Sequence, residues 1–367
     1  MTSPSLIIDN GSGVIKSGLS NNSQPTCVFQ SFVGRISSPN VQEETFIGEQ
    51  AEKQKELLKL RYPIERGIIE NWEDMEKIWS YIYSTLNIKS DQHPVLLSEP
   101  PLNPFSKREK MAEIFFETYQ VPSLYLSLQQ VLALYSAGKT TGIVLDSGEG
   151  VTHAVPIFGG FAIPHAISKM DIAGKDVTKQ LRILLKKAGY SFTSSYDNEL
   201  VRILKENTCQ LSDNLRQNQE KDLKNQFQPL NYQLPNNNEI TIQHERFIAP
   251  EILFDPEMID SDENGIHKLI KNSIDKSDLD LRNELYKNIV LSGGNTLIQG
   301  FGMRLLKELK EISPKNMKIS ISAQKNRKFA TWIGGSILTK LETYKKMLIT
   351  NKDYKENGIK VINQKGL

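Results

Sequence analysis

Gly142-Ile143-Val144-Leu145-Asp146-Ser147-Gly148-Glu149-Gly150-Val151-Thr152-His153 is an apolar run that ends in an acidic, glycine-broken turn and then resumes. Ile143, Val144 and Leu145 before the turn and Val151 after it carry the signature of a buried strand that doubles back. Gly148 and Gly150 let backbone amides approach a bound group without interference from a Cβ, and such amides attract anions. Asp146, at the strand end, repels a phosphate but suits the hydrated magnesium that accompanies a polyphosphate. Taken alone, the stretch also reads as an ordinary hairpin turn.

The same plan occurs a second time. Leu6-Ile7-Ile8-Asp9-Asn10-Gly11-Ser12-Gly13-Val14-Ile15-Lys16-Ser17-Gly18 repeats the apolar run, the aspartate, the paired glycines and the β-branched return. The duplication predicts two similar half-molecules facing each other over one ligand, whose phosphates the two hairpins clamp. A chain of 367 residues suits two α/β lobes. Its 38% hydrophobic and 24% charged residues are ordinary for a globular protein, and a net charge of +2 is too small to point to nucleic acid. Cys27 and Cys209 have no metal-ligand spacing and read as reduced thiols. Met1-Thr2-Ser3-Pro4 leads into a strand without a signal-peptide pattern, and no apolar run reaches membrane-spanning length. The expected compartment is the cytoplasm.

Between the hairpins, Cys27-Val28-Phe29 predicts a strand, and Ile36 to Thr45, polar and without periodicity, an exposed loop. Trp72, Met75, Ile78, Trp79, Ile82 and Leu86 recur at helical spacing and read as a packed face rather than a cofactor box. A strand at His93 to Leu97 precedes a helix from Lys107 to Tyr119 with Ser106 as its N-cap, and a strand at Leu124 to Leu126 precedes a helix from Ser127 to Ala137. Gln129, near the start of that helix, is either a solvated amide or, beside two phosphate hairpins, a group that orients a water. Beyond the second hairpin, strands are expected at Ala154 to Ile157 and Phe161 to Pro164. Helices follow from Val177 to Lys187, capped by Gly189, and from Asp197 to Thr208. Ser212 to Gln228 reads as exposed helix or loop, and Asn236-Asn237-Asn238 as a hairpin turn. Ser292-Gly293-Gly294 closes a strand before a helix near Gly300, a glycine break that either seats a nucleotide or simply turns. Trp332 to Leu338 continues with helical spacing through Leu341, Tyr344 and Met347, while Lys345, Lys346 and Lys352 read as a solvated face.

With both hairpins in order and at matching spacing, the chain resembles the actin family over essentially its whole length. Within that family, Arg61-Tyr62-Pro63, Phe116-Glu117-Thr118, Lys276-Ser277-Asp278 and Ile319-Ser320-Ile321-Ser322-Ala323 are most similar to the centractin branch of actin-related proteins. The resemblance implies a duplicated two-lobed α/β fold, ribonuclease H-like lobes on mixed five-stranded sheets around a nucleotide cleft. Residues 1–136 with 330–367 would form the first lobe, with 31–61 its small subdomain, and 137–329 the second, with 173–254 its small subdomain. It further implies ATP or ADP with Mg2+. Ser12, Gly13 and Lys16 would contact phosphates from one lobe, and Gly148, Glu149, Gly150 and Val151 from the other. Asp9, Gln129 and Asp146 would hold the metal through water. Gly174, Lys205, Glu206, Gly294 and Lys328 would surround ribose and adenine, and Gln129 and His153 would position the attacking water. The implied role is a slow ATPase and filament subunit that self-associates into a short filament with dynactin-type subunits and capping proteins, and indirectly with dynein. Cytoskeletal, centrosomal or microtubule-associated placement goes with that role.

Three departures from the family pattern stand out. Glu149 replaces the second aspartate of the loop, lengthening its reach. Arg66 stands where a histidine is usual behind the phosphates. The stretch Arg35 to Phe46 is several residues shorter than the family's subunit-contacting loop and lacks its apolar centre. Contacts with other subunits implied by the resemblance are Met258 and Ile259, and a cleft of Tyr135, Phe161, Ile337, Leu338, Leu341 and Met347, although Leu338 and Leu341 read equally as core. Competing readings are conventional actin, a small-molecule kinase on the same duplicated scaffold, and a chaperone of the heat-shock seventy class.

Overall fold

The computed structural model describes residues 3–36, 44–212 and 228–365. Each hairpin is the centre of its own mixed sheet. Leu6–Asn10, buried at every position, pairs antiparallel with Val14–Leu19 and parallel with Val95–Glu99. Gly142–Ser147 does the same with Thr152–Phe158 and Ile289–Ser292. A strand flanked on both sides and covered on both faces must be apolar throughout, which is why both runs lack alternation. Cys27–Gln30 and Ser123–Leu128 extend the first sheet, and Phe161–Ala162 and Ile321–Ser322 the second. The expectation of five strands per sheet is corrected to six. Ile349–Thr350 adds an edge to the first, where Ile349 is buried, and Ser168–Met170 pairs with Thr152–Phe158 in the second.

Each large sheet carries a smaller unit. Thr45–Ile47, Val33–Ile36 and Leu58–Arg61 form a three-stranded sheet beside the helix Glu49–Gln54. In the other half, the helices Gly174–Lys187 and Ser195–Thr208 pack together near the hairpin of Leu230–Gln233 and Glu239–Ile242. Asn237 adopts the left-handed conformation in its turn, as asparagine readily does. The loop expected at Ile36 to Thr45 falls on 37–43, outside the described residues, as does most of the segment Ser212 to Gln228, at 213–227.

The helix Trp72–Leu86 starts where Asn71 accepts the Asp74 backbone N–H and ends at Asn87 in the left-handed conformation. Met75, Ile78, Trp79 and Ile82 are buried, while Trp72 and Leu86 pack at the margin of the same core. Trp79 Nε1 also donates to Asn10 Oδ1 at 3.2 Å, tying the core helix to the turn of the first hairpin.

Three local expectations shift. Ser106 is not the N-cap: the helix starts at Phe105 behind Pro104, and after Glu113 it widens into a π-turn over Ile114–Thr118. Ser127 and Leu128 remain in strand, so the next helix is Gln129–Ser136. The C-terminal helix does not run on to Met347. It spans Ala330–Leu338, turns, and restarts at Tyr344–Met347, which lets Tyr344 bury against Leu96, Leu132 and Trp332 while Leu341 stays exposed. Leu338 is core, whereas Phe161, Ile337 and Met258 are exposed. Helices Gln129–Ser136 and Ala330–Leu338 cross between the sheets so closely that a Cβ on Gly334 would lie 1.7 Å from Leu132 O. Only glycine permits that crossing.

Candidate nucleotide cleft

The two hairpin turns meet face to face. A Cβ on Gly13 would lie 2.8 Å from Glu149 Cβ, and one on Gly150 would lie 2.6 Å from Ser12 Oγ, so side chains at either position would force the turns apart. Ser12 Oγ in turn accepts the Gly67 N–H at 3.0 Å. Between and beside the turns opens a cleft of about 920 Å³, within the usual size for a small-molecule site.

Ser12, Gly13 and Lys16 line this cleft from one side and Gly148, Glu149, Gly150 and Val151 from the other. Asp9, Gln129 and Asp146 lie on its wall, as do Lys205, Glu206, Gly294 and Lys328. Gly174 and His153 do not. Gly174 lies behind the second turn, its N–H donating to Gly148 O at 3.0 Å and its carbonyl accepting from Lys205 Nζ at 3.0 Å. His153 is buried in the strand after that turn, opposite Asp146 on the strand before the turn and opposite Lys169 on the strand at its other edge. Burial first, and then the Lys169 charge, push its pKa down to about 4, so the ring is neutral near pH 7.

Asp9 is held on both oxygens. Lys16 Nζ lies 2.9 Å from Oδ2, while Ser98 Oγ at 2.7 Å and Gln129 Nε2 at 3.2 Å donate to Oδ1. Asp146 Oδ2 accepts from Gln130 Nε2 at 3.0 Å. Burial raises the Asp146 carboxyl above the usual range, the Ser292 hydroxyl opposes this, and the charge of Asp9 pushes it up again. Two carboxylates that repel each other across one cleft, with amide and hydroxyl oxygens nearby, form an oxygen-only set of the kind hard divalent cations take. Among the described residues no cluster of His, Cys, Asp and Glu encloses a metal directly. A hard cation held beside these carboxylates would complete its shell with water and ligand oxygens. Gly294 lines the same cleft, and a Cβ there would meet nothing within 4 Å among the described residues, so the space beside this glycine is open. These residues fit magnesium with a nucleoside polyphosphate.

The departures acquire partners. Glu149 Oε2 accepts from Lys205 Nζ at 3.2 Å, linking the second turn to the helix Ser195–Thr208. Arg66, at a positive φ of 45°, reaches Gly150 O at 3.3 Å, Asp171 O, and the Asp176 carboxylate at 3.3 Å through both terminal nitrogens. Sequence reasoning missed Ser98, Gln130 and Arg202 at this site. Ser98 had a signal, as a polar residue near the end of the strand parallel to the first hairpin. Gln130 had none beyond standing next to Gln129.

The facing hairpins, each rooted in a six-stranded mixed sheet, define a two-lobed protein with a nucleotide-type cleft. The chain belongs to the actin family: the family model described as actin matches residues 2–367. It is also 48% identical over 362 residues to an "Actin-like protein" of Neurospora crassa, covering 96% of this chain and 95% of that one. Members of the family are cytoskeletal and bind ATP or ADP with Mg2+. Among the described residues no helix is long and apolar enough to cross a membrane.

Proposed function

We propose that the chain is an ATP- and Mg2+-binding filament subunit of the centractin type, forming a short actin-like filament within a dynactin-type complex that supports dynein-driven transport. The observation that carries the nucleotide part is the contact of the two glycine turns, Gly13 against Glu149 and Gly150 against Ser12, with Asp9 and Asp146 on one cleft wall. The four centractin-like phrases carry the assignment within the family. The lobe limits given above, 1–136 with 330–367 and 137–329, belong to the same reading.

In this reading Ser12, Gly13, Lys16 and Gly148 to Val151 hold the phosphates, while Asp9, Gln129 and Asp146 hold the cation through water. Lys205, Glu206, Gly294 and Lys328 surround ribose and adenine, with Gly174 fixing Lys205 from behind. Bound magnesium supplies charge neutralisation for the phosphates. Gln129, already directed at Asp9, orients the attacking water, and catalysis is mainly positioning. His153, neutral and buried, supports the strand that carries the second turn. Turnover is slow and the role mainly structural, in the cytoplasm on the cytoskeleton, with centrosomal or microtubule association.

Partners follow from the composition of the stretch Ser37 to Glu44, where Val41 is the lone aliphatic side chain beside Pro39 and little else could bury against a neighbour. Each large apolar anchor buried at an interface contributes about 1.5–3 kcal/mol, so a contact lacking two of them is weaker by several kcal/mol. The purified protein is expected to form short filaments at low micromolar concentration by electron microscopy, persisting with capping partners. Pull-down from cytosol is expected to retain dynactin-type subunits. Long stable polymers without partners would favour conventional actin instead, and phosphate transfer to a small hydroxylated acceptor would favour a kinase.

A further inference from the structure

Gln130 is the one polar side chain of the helix Gln129–Ser136 that is wholly buried, and it sits among Val131, Leu132, Ala133 and Leu134. Its Nε2 donates to Asp146 Oδ2 at 3.0 Å, whereas its Oε1 is buried without a hydrogen-bond partner among the described residues. A buried amide with one end unsatisfied weakens a fold relative to methionine or leucine of similar volume. Packing therefore does not account for a glutamine here. The bond to Asp146 does.

The preceding residue makes the matching contact on the other side. Gln129 Nε2 lies 3.2 Å from Asp9 Oδ1, so the first two residues of one helix each direct an amide at the aspartate of a different hairpin. Asp146 lines the cleft and Gln130 does not, which puts the Gln130 donor behind the carboxylate. A carboxylate held from behind keeps one orientation toward the cleft, the service that outer partners render to metal-binding side chains.

We propose that Gln130 is a positioning residue for the divalent cation, acting through Asp146 and setting how much Mg2+ the site needs to retain a nucleotide. The proposal rests on the nucleotide-binding reading above. It concerns the cation and not the base or sugar, because the hydrogen bond of Gln130 goes to Asp146 and Gln130 does not line the cleft. Loss of the donor then raises the Mg2+ requirement while leaving nucleotide affinity at saturating Mg2+ close to that of the wild type.

The test titrates Mg2+ into the full-length protein with a fluorescent ATP analogue, comparing the wild type with Gln130→Met, which keeps the volume and removes the donor. The half-saturating Mg2+ concentration is expected to rise roughly tenfold or more, the range for losing such an outer partner. The thermal midpoint without nucleotide is expected to stay close to that of the wild type, since removal of the orphaned oxygen offsets the lost donor to Asp146. A purely structural glutamine would give the opposite pair: a lowered midpoint and an unmoved Mg2+ requirement. Gln130→Asn, which withdraws the amide by one carbon, gives the same measurement should the methionine variant fail to fold. Wild-type Mg2+ dependence in either folded variant overturns the proposal alone. Wild-type protein that binds no nucleotide at any Mg2+ concentration overturns the parent reading and this one with it.

Discussion

The hydroxyl of Tyr62 donates to the carboxylate of Glu199, joining the strand end of the first small sheet to the helix Ser195–Thr208 of the other half. Arg202, on the same helix, holds Glu199 Oε2 at 2.8 Å and Glu206 Oε1 at 2.6 Å. With its amide turned so that nitrogen faces Gly13 O at 2.9 Å, Gln30 accepts from Arg202 Nη2 at 3.2 Å. The network runs from the first hairpin across to the helix Ser195–Thr208 of the other half and back to the first half at Tyr62.

Breaking that link should loosen the closed cleft without touching the nucleotide. Tyr62→Phe removes one hydrogen bond to a charged group, worth about 1–3 kcal/mol, and is expected to speed nucleotide release about five- to 150-fold. Stopped-flow displacement of a fluorescent ATP analogue measures this. A release rate equal to that of the wild type would show that the bond does not hold the cleft shut.

Asp146→Ala deletes a carboxylate from the cleft wall and leaves the Gln130 donor without its acceptor. Mg-ATP affinity is expected to fall by about 1–3 kcal/mol, the range for losing a hydrogen bond to a charged group. Calorimetric titration decides, and an unchanged affinity removes Asp146 from the cation site.

Gln129→Ala separates water positioning from binding. Phosphate release into solution is expected to slow by at least roughly tenfold, below the usual effect of losing a positioned proton-transfer group, with ATP affinity within a few-fold of wild type. Equal losses in affinity and turnover would make Gln129 a structural partner of Asp9 and Ser98.

His153 gives a pH signature in stability. Its folded pKa of about 4 lies below the ordinary 6.5, so above pH 6.5 both states are neutral there and the residue contributes no slope. As pH falls from 6.5 toward 4 the unfolded chain takes the proton first, and folding is progressively disfavoured. Between pH 7.5 and 5 the loss is roughly 2 kcal/mol. His153→Gln, which does not titrate, is expected to lose that much less over the same window in urea unfolding. Parallel pH curves for the two proteins would count against a neutral buried ring.

The sequence alone determined the two hairpins, the aspartates at their strand ends and the packed face of the helix Trp72–Leu86. Each of these is local: apolar runs, glycines one residue apart and a 3.6-residue period state where a strand must turn and which side chains must leave water. Most of the cleft wall was legible for the same reason, because residues next to a glycine turn are carried to wherever the turn goes. Tertiary structure alone decided what faces what across the gap. Tyr62 and Glu199, Arg66 and Asp176, and Gln130 and Asp146 meet only because two sheets and a crossing helix pair come together at Gly334 and Leu132. It also left Gly174 and His153 off the cleft wall, the latter opposite Asp146 in the hairpin, and it bent the chain after Leu338 to bury Tyr344. Periodicity sets which face of an element is buried, but the partner of a buried polar group depends on how separate elements pack, and that is settled by long-range contacts.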